Sequence, residues 1–506
     1  MGKSENTIIE VEGSFWWLGE EIPEGRSVPS TALSGTLTIS GNGLAKLTVT
    51  GSLMSSPPVG LDTKGRFAAI NDVQVLQDRT IAGRGERFQT IFLRNIVARI
   101  AGHRSENGIE VFEAGFSLVG HNNDRQQRSE LAFSRLSIEL RGLEQWSWND
   151  RIIVNDVVPD QAENSQMVRW AAQTVGYPVE AGQIRFRTNI HCDRLPGVQH
   201  REISFRQHDW IDYLPDSPLS PDQLKQEFGY IEEFLSLLFG TYYYLDWPQL
   251  ANGTDASLDE SYTLYFWRHK EDMKPLERYE LWTIFPQIEK TFGSMYVAAR
   301  GKRKEYGPAF YLRLGALRSS SMYIEHRFIN FIWGIESLHR AMRPNANGSS
   351  REIEMIEHFM EKLRDVLTAN SRARKWFQRA LKMAHEPQLK DRIIEIFSKL
   401  PWAIESKSLG VFAQRCADRR NDLSHYGGPR QYREASNEAF LQDLQSLNEA
   451  LSVLYHGALL QEIGLNDEIL RQALLHPLTG NRIRWALEHA GLTIASHLQD
   501  DGSSPR

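Results

Sequence analysis

An arginine and a histidine in the last third of the chain have the clearest chemical potential. Four residues separate Arg420 from His425, and Gly427 and Gly428 follow closely. An arginine guanidinium is always charged and can bind two phosphate oxygens at once, so it stabilises charge that builds at a phosphodiester. A histidine, with a usual pKa of about 6.5, exchanges protons near neutrality. The two side chains together suit chemistry at a phosphodiester bond.

The spacing of this pair limits how the two side chains can meet. The surrounding sequence predicts a helix that ends at Gly427. Five residues of an ideal helix rotate by about 500°, so Arg420 and His425 point roughly 140° apart. They would share a site if the helix unwinds before Gly427, or if two copies of the chain bring their motifs together. A structural role, in which His425 only interacts with the helix dipole, is the alternative.

A basic segment surrounds the pair within an otherwise acidic chain. The 506 residues carry a net charge of −6, yet residues 301–430 hold 24 Lys and Arg against 14 Asp and Glu. A local excess of positive charge favours a polyanion-binding site, although it is also typical of a solvated helical surface. The composition, 41% hydrophobic and 24% charged, is that of a globular protein with about two to four domains.

Several classes of protein are disfavoured by what the sequence lacks. We find no apolar run of transmembrane length, and the polar N-terminus does not resemble a secretory signal. The two cysteines, Cys192 and Cys416, exclude a disulfide framework and a multi-cysteine zinc site. His191, Asp193 and His200 near Cys192 match no established metal spacing. We therefore expect a reduced, cytoplasmic protein that uses no metal and no cofactor.

The helices and strands that must position Arg420 and His425 fall into two regions. The first region is residues 1–310. Short segments there alternate apolar and polar residues between turn residues, which predicts antiparallel strands with one buried face. The clearest segments are 35–40, 47–49, 136–140, 203–205 and 263–267. A helical pattern at 220–240 interrupts them, with Ser220 and Pro221 at its start and Gly240 at its end. We predict a β-rich sandwich or barrel of one or two subdomains.

Residues 311–500 follow the helical period instead. Phe328, Ile332, Ile335 and Met342 recur at helical spacing. Further helices are predicted to start near residues 351, 371, 388, 408, 432, 467 and 480. We therefore predict an α+β multidomain protein, in which a β-rich N-terminal region precedes an all-α helical bundle that carries the Arg420–His425 pair.

The motif itself resembles that of the HEPN nucleases, in which a short spacer separates an arginine from a histidine. Arg420 and His425 fit this motif, and Asn421 matches the polar residue often found after the arginine. Arg419 fits the same motif with a spacer one residue longer, so either arginine is a candidate.

Two further segments resemble ApeA-type HEPN proteins. The predicted helix at 331–340 places Glu336 ahead of a Leu-His-Arg ending, and it looks like the early HEPN helix of these proteins. Near the N-terminus, the aromatic cluster at 13–18 and the Gly-Thr-Leu strand at 35–37 look like the opening of the ApeA N-terminal domain. The resemblance therefore touches both ends of the chain.

The resemblance implies an anti-phage ribonuclease that acts in abortive infection. It implies metal-independent cleavage, in which the ribose 2′-OH attacks the adjacent phosphorus and leaves a 2′,3′-cyclic phosphate and a 5′-OH end. His425 would transfer protons, Arg420 would stabilise the phosphate, Asn421 would orient either group, and Glu336 would hold the arginine. It also implies a homodimer or a higher homo-oligomer, an N-terminal region that restrains the nuclease until a phage-encoded trigger is sensed, and transfer RNA as one candidate substrate.

Other cationic residues are candidates for RNA binding. Arg419 could assist at the phosphate, and Arg372, Arg374 and Lys375 could hold an RNA backbone while Trp376 stacks a base. The alternative, slightly favoured by the sequence, is that Trp376 and Phe377 pack inward while the cations face water. The competing function for the whole chain is a non-catalytic HEPN module that binds RNA or protein.

Overall fold

A computed structural model describes most of the chain. The described residues are 7–54, 73–76, 79–86, 89–99, 109–120, 131–147, 152–157, 165–170, 173–194, 203–253, 261–269, 274–319, 321–344, 350–362, 372, 375–376, 378–379, 386–428 and 436–495. The chain folds into two compact units. The first comprises residues 1–144, 149–232 and 244–275, and the second comprises 145–148, 233–243 and 276–506. The sequence-based boundary near residue 310 stays a prediction.

The first unit begins with a closed six-stranded antiparallel barrel. Its strands, with one further edge strand β4, are β1 (Thr7–Trp17), β2 (Leu33–Ser40), β3 (Ala45–Thr50), β4 (Val73–Leu76), β5 (Ile81–Gly85), β6 (Thr90–Arg99) and β7 (Ile109–Gly120). The pairings run β1–β2–β3–β7–β6–β5 and return to β1. The alternation predicted for 35–40 places Leu37 and Ile39 in the barrel core, together with Leu47 and Val49 of β3.

The same antiparallel sheet continues beyond the barrel from β7. The first half of β7 pairs with β3, and its second half pairs with β15 on the same edge. From there the strand order is β15–β14–β8–β13–β12–β11. The bounds are β8 (Arg135–Glu139), β9 (Ile152–Val157), β10 (Ser165–Trp170), β11 (Gln173–Val179), β12 (Gly182–Arg194), β13 (Ile203–Pro215), β14 (Gln249–Ala251) and β15 (Tyr262–Phe266), with β9 and β10 forming a separate hairpin.

The predicted interrupting helix is present, after the short α1 (Glu144–Ser147), as α2 (Pro221–Phe239). Its start is fixed by a reciprocal cap, because the Gln223 amide donates to Ser220 Oγ and the Ser220 amide donates to Gln223 Oε1. Gly240 ends it with a φ of 78°, which a side chain would resist. Phe228 packs edge-on against Phe266 of β15 in the first unit.

The second unit is helical. Its helices are α3 (Phe285–Ile288), α4 (Phe292–Tyr306), α5 (Pro308–Arg318), α6 (Ile324–Met342), α7 (Ser350–Lys362), α8 (Leu389–Phe397), α9 (Ser406–Tyr426), α10 (Asn437–Glu462), α11 (Asp467–Leu475) and α12 (Thr479–His489). The predicted fold class, a β-rich region followed by a helical bundle, is confirmed. Helical structure begins earlier than the helical pattern predicted for residues 311–500, since α4 already buries Phe292, Met295 and Ala299 on one face. The helix start predicted near residue 432 lies outside the described residues.

Candidate functional site

Helices α6, α9 and α10 set the directions of the side chains around the motif. The Asn448 side chain of α10 donates to the Ile324 carbonyl, and Tyr455 packs against Phe331, so α6 and α10 run parallel. Arg419 of α9 lies over the ring of Phe440 in α10. Arg415, one turn earlier in α9, donates to Ser446, which follows Phe440 and Asp443 in α10. Helix α9 therefore runs antiparallel to both α10 and α6.

Arg420 is directed from α9 toward α6. Its Nη2 lies 3.8 Å from Glu336 Oε1, and its Nη1 donates to Asn421 Oδ1 over 3.3 Å. The Arg420 side chain keeps 34% of its surface exposed, whereas Glu336 keeps 13%. At 3.8 Å the carboxylate orients the guanidinium without a close hydrogen bond, so Arg420 retains donors that a phosphate can use. Three of the four predicted catalytic residues are thus brought together.

Arg419 has different surroundings from its neighbour. Its Nε lies 2.5 Å from Asp443 Oδ2 on α10, and its Nη1 lies 3.3 Å from Asp422 Oδ2. The Phe440 ring lies beneath the guanidinium, at 4.9 Å. These contacts fix Arg419 between α9 and α10 with 13% of its side chain exposed. The two arginines that the motif could use therefore differ in how much of their hydrogen-bonding capacity is committed.

His425 is exposed in the last turn of α9 and does not line the pocket at Arg420. The helix stays regular through Tyr426, and Gly427 then adopts the left-handed conformation (φ 68°, ψ 10°) with its amide bonded to the Leu423 carbonyl. The predicted option of a helix that unwinds before Gly427 is wrong, because Gly427 supplies a regular C-cap. On a regular helix Arg420 and His425 remain about 140° apart.

A pocket of about 410 Å³ opens beside Arg420. Helices α6, α8 and α9 and the segment before α8 supply its walls. Its charged lining consists of Arg340, Lys390, Arg392, Arg420, Glu336 and Glu386. Positive charge exceeds negative charge there by two when all six groups are ionised, which suits an anionic ligand. Lys390, Arg392 and Arg340 line this pocket, although the sequence did not indicate them as candidates.

Comparisons with known protein families bear on this arrangement. The profile described as Apea-like HEPN matches residues 329–469, which contain α6, α9 and the Arg420–His425 motif. The profile described as ApeA N-terminal domain 1 matches residues 10–272, more than half of the chain. The chain belongs to the ApeA family. No match was found among curated proteins or among solved structures.

The ApeA-type combination of these two domains supports a role in antiviral defence and an activity of the nuclease type. HEPN domains commonly bind RNA and oligomerise. No helix in the described part of this ApeA-family chain is long and apolar enough to cross a membrane. Within the same residues, no group of three or more His, Cys, Asp or Glu side chains could hold a metal ion.

A buried histidine joins two walls of the pocket in this ApeA-family protein. His339 Nε2 lies 2.8 Å from Glu395 Oε2, and Arg343 Nε donates to Glu395 Oε1 over 2.9 Å. The hydrogen bond from His339 lowers the pKa of Glu395, and Arg343 adds to the effect. The three side chains hold α8 against α6, the two helices that supply Lys390 and Arg340 to the pocket.

The other predicted RNA-binding residues that the structure describes do not line this pocket. Arg372, Lys375 and Trp376 are helical and exposed, whereas Arg374 lies outside the described residues. Trp376 is 63% exposed, so the expectation that its ring packs inward is wrong. Of the cysteines, Cys416 is buried and burial raises the pKa of its thiol.

The contacts of Asp443 predict a stability effect. Burial raises the pKa of Asp443, but hydrogen bonds and charge from Arg415 and Arg419 outweigh burial and hold the pKa below its usual value. We expect Asp443→Ala to cost about 2–3 kcal/mol of unfolding free energy, because it leaves two partly buried arginines without this partner. Urea unfolding of the full chain measures the change.

The pH dependence of that loss supplies a control. A carboxylate whose folded pKa is lowered stabilises the fold above its unfolded pKa of about 3.9, and the contribution disappears as the pH falls through the folded value. The difference between wild type and Asp443→Ala should therefore shrink below about pH 4. A difference that is negligible at pH 7, or constant down to acid unfolding, contradicts this account.

Proposed function

We propose that this ApeA-family protein is a metal-independent endoribonuclease that acts in anti-phage abortive infection. The ribose 2′-OH attacks the adjacent phosphorus, the bond to the 5′-oxygen of the next nucleotide breaks, and the products end in a 2′,3′-cyclic phosphate and a 5′-OH. His425 transfers protons in this step, and Arg420 stabilises the charge on the phosphorane-like transition state. Asn421 positions the phosphate or the imidazole, and Glu336 orients Arg420.

The observation that carries the proposal is the contrast between the two neighbouring arginines. Arg420 lies at the edge of a cationic pocket, 3.8 Å from the Glu336 carboxylate of another helix. Arg419 is bound by Asp443 and Asp422 and lies over Phe440. We therefore assign Arg420 as the motif arginine, because its donors remain available to a substrate.

The regular end of α9 supports a homodimer with composite sites. Arg420 and His425 lie on different faces of one helix, so a single chain does not present both to one phosphate. A two-fold axis near the motif would place His425 of one copy beside Arg420 of the other. We propose that each site takes its arginine and its histidine from different copies.

We further propose that the N-terminal region restrains this nuclease in the cytoplasm until a phage-encoded trigger binds. The ApeA N-terminal domain match over residues 10–272 supports a separate regulatory region. Transfer RNA is the substrate we test first, and the cationic segment 301–430 supports an RNA substrate in general.

Sequencing of RNA ends in phage-infected cells tests the activity and identifies the substrate. We expect 5′-OH ends to accumulate with wild type and to fall at least about 100-fold with His425→Ala, since proton transfer is lost. His358→Ala is the matched control, because His358 is also an exposed helical histidine, on α7. Purified wild type should cleave the same RNA in the presence of EDTA.

A non-catalytic RNA- or protein-binding module is the second candidate function. The exposed position of His425 at a helix C-terminus favours it, because a histidine there also interacts with the helix dipole. Equal phage protection by wild type and His425→Ala, without new 5′-OH ends, would support the module and overturn the nuclease.

A further inference from the structure

An exposed tryptophan lies on the stripe of α6 that leads out of the pocket. Trp333 is 51% exposed and precedes Arg340, which lines the pocket, by seven residues. Seven residues turn a helix by about 700° and advance it by about 10 Å, so the two side chains point within about 20° of each other. Because α6 and α9 run antiparallel, Trp333 lies on the side of Glu336 that faces the His425 end of α9.

The cations of the pocket and Trp333 form one path, with Lys390 and Arg340 at its pocket end. Lys390 is half-buried, and among the described residues it forms no ion pair. Arg340 is more than half exposed, and its contact with Glu386 is long, at 3.8 Å. Both cations therefore retain donors for an anion. Arg392 is buried and donates to the Pro387 carbonyl over 2.8 Å and to Glu386 Oε2 over 3.4 Å, so it contributes charge with less freedom to move.

We propose that this path is the RNA subsite of the protein: Lys390 and Arg340 bind backbone phosphate, and Trp333 stacks a nucleobase near the scissile bond. The proposal rests on the ribonuclease function proposed above and names residues outside the HEPN motif. Proteins that hold single-stranded RNA combine a cationic groove with aromatic platforms, because every nucleotide offers both a phosphate and a flat base. The excess of positive charge in the pocket, whose Arg340 lies about 10 Å along α6 from the ring, favours RNA over an apolar protein surface as its partner.

Binding of a fluorescein-labelled single-stranded RNA tests the phosphate half of the path. The measurement uses the full chain with His425→Ala, so that the RNA is not cut. We expect Lys390→Glu to weaken binding and to reduce the slope of log affinity against log salt by about 0.7 for each phosphate that the variant no longer neutralises. Lys407→Glu, at an exposed position of α9 outside the pocket, makes the same charge change and should leave the slope unchanged.

Stacking of a base on Trp333 should change RNA affinity without changing its salt dependence. We expect Trp333→Ala to weaken binding about 5- to 100-fold with no change in the salt slope, and Trp333→Phe to recover much of the affinity. An RNA with an abasic nucleotide at the stacked position should bind wild-type and Trp333→Ala backgrounds equally. Trp485→Ala on α12 is the control, because Trp485 is similarly exposed at 55%.

The outcomes separate this proposal from the function on which it rests. Unchanged affinity and slope in Lys390→Glu and Trp333→Ala, while wild type still produces 5′-OH ends, overturn the path alone. A fall in molecular mass of Trp333→Ala by light scattering, with RNA affinity intact, assigns the ring to a subunit interface and overturns its stacking role. Absence of both RNA binding and 5′-OH ends in every variant and in wild type overturns the nuclease and the path together.

Discussion

Replacing Arg420 with alanine is expected to reduce RNA cleavage by at least about 100-fold while the chain stays folded. The guanidinium would stabilise charge that exists only in the transition state, and removal of one such donor typically costs a factor of about 100 to 1,000. The structure supports a small effect on stability, because a third of the side chain is exposed and its ion pair with Glu336 is long, at 3.8 Å. Initial cleavage rates and urea unfolding, measured on the same preparation, give the two quantities.

Arg419→Ala is the matched control, one residue away. Arg419 is bound by Asp443 and Asp422, so its removal should lower the unfolding free energy by about 2 kcal/mol, because the buried Asp422 carboxylate loses this arginine and Asp443 keeps only Arg415 of its two. Any loss of activity should then follow the loss of folded protein. Full activity in Arg420→Ala, or inactive but fully stable Arg419→Ala, would reverse the assignment of the motif arginine.

Local rules predicted much of the fold. The capping residues Ser220 and Gly240 bound α2 because caps depend on neighbouring residues alone. The alternation at 35–40 and 47–49 predicted β2 and β3 for the same reason. Closure of the barrel was beyond such rules. It depends on the pairing of β1 with β5, whose sequence Ile-Ala-Gly-Arg-Gly has no clear alternation and whose partner lies far away in the chain.

The candidate site, like the fold, could be predicted from the sequence only in part. The family resemblance named Arg420, Asn421 and Glu336 as candidates, and the structure brings these three side chains together. The helical period placed His425 on another face, and α9 runs regularly to Tyr426. The sequence did not indicate Lys390 and Arg340, because only the packing of α8 against α6 places them in one pocket. The local excess of positive charge in 301–430 was the available signal, but charge counts do not say which cations converge. The regular end of α9 could not be predicted from the sequence either, because a glycine such as Gly427 can end a helix in more than one way.

Two inactive variants are expected to restore cleavage when they form a heterodimer. If each site takes Arg420 from one copy and His425 from the other, a heterodimer of Arg420→Ala and His425→Ala keeps both groups intact in one of its two sites. We expect about half of the wild-type activity per dimer. The two chains would carry different affinity tags, so that sequential purification isolates the heterodimer before its rate is measured.

The reciprocal pairing is the control, and it gives the opposite result. A heterodimer of wild type with the double variant Arg420→Ala/His425→Ala has no site with both groups if sites form between copies, so it should be inactive. If each chain instead used its own pair, this second heterodimer would keep about half of the activity and the first would have none. The regular course of α9 to Tyr426 favours the first outcome, because one chain directs Arg420 toward Glu336 and His425 about 140° away. Activity in the second heterodimer alone would require a large rearrangement of the α9 end and would contradict the composite site.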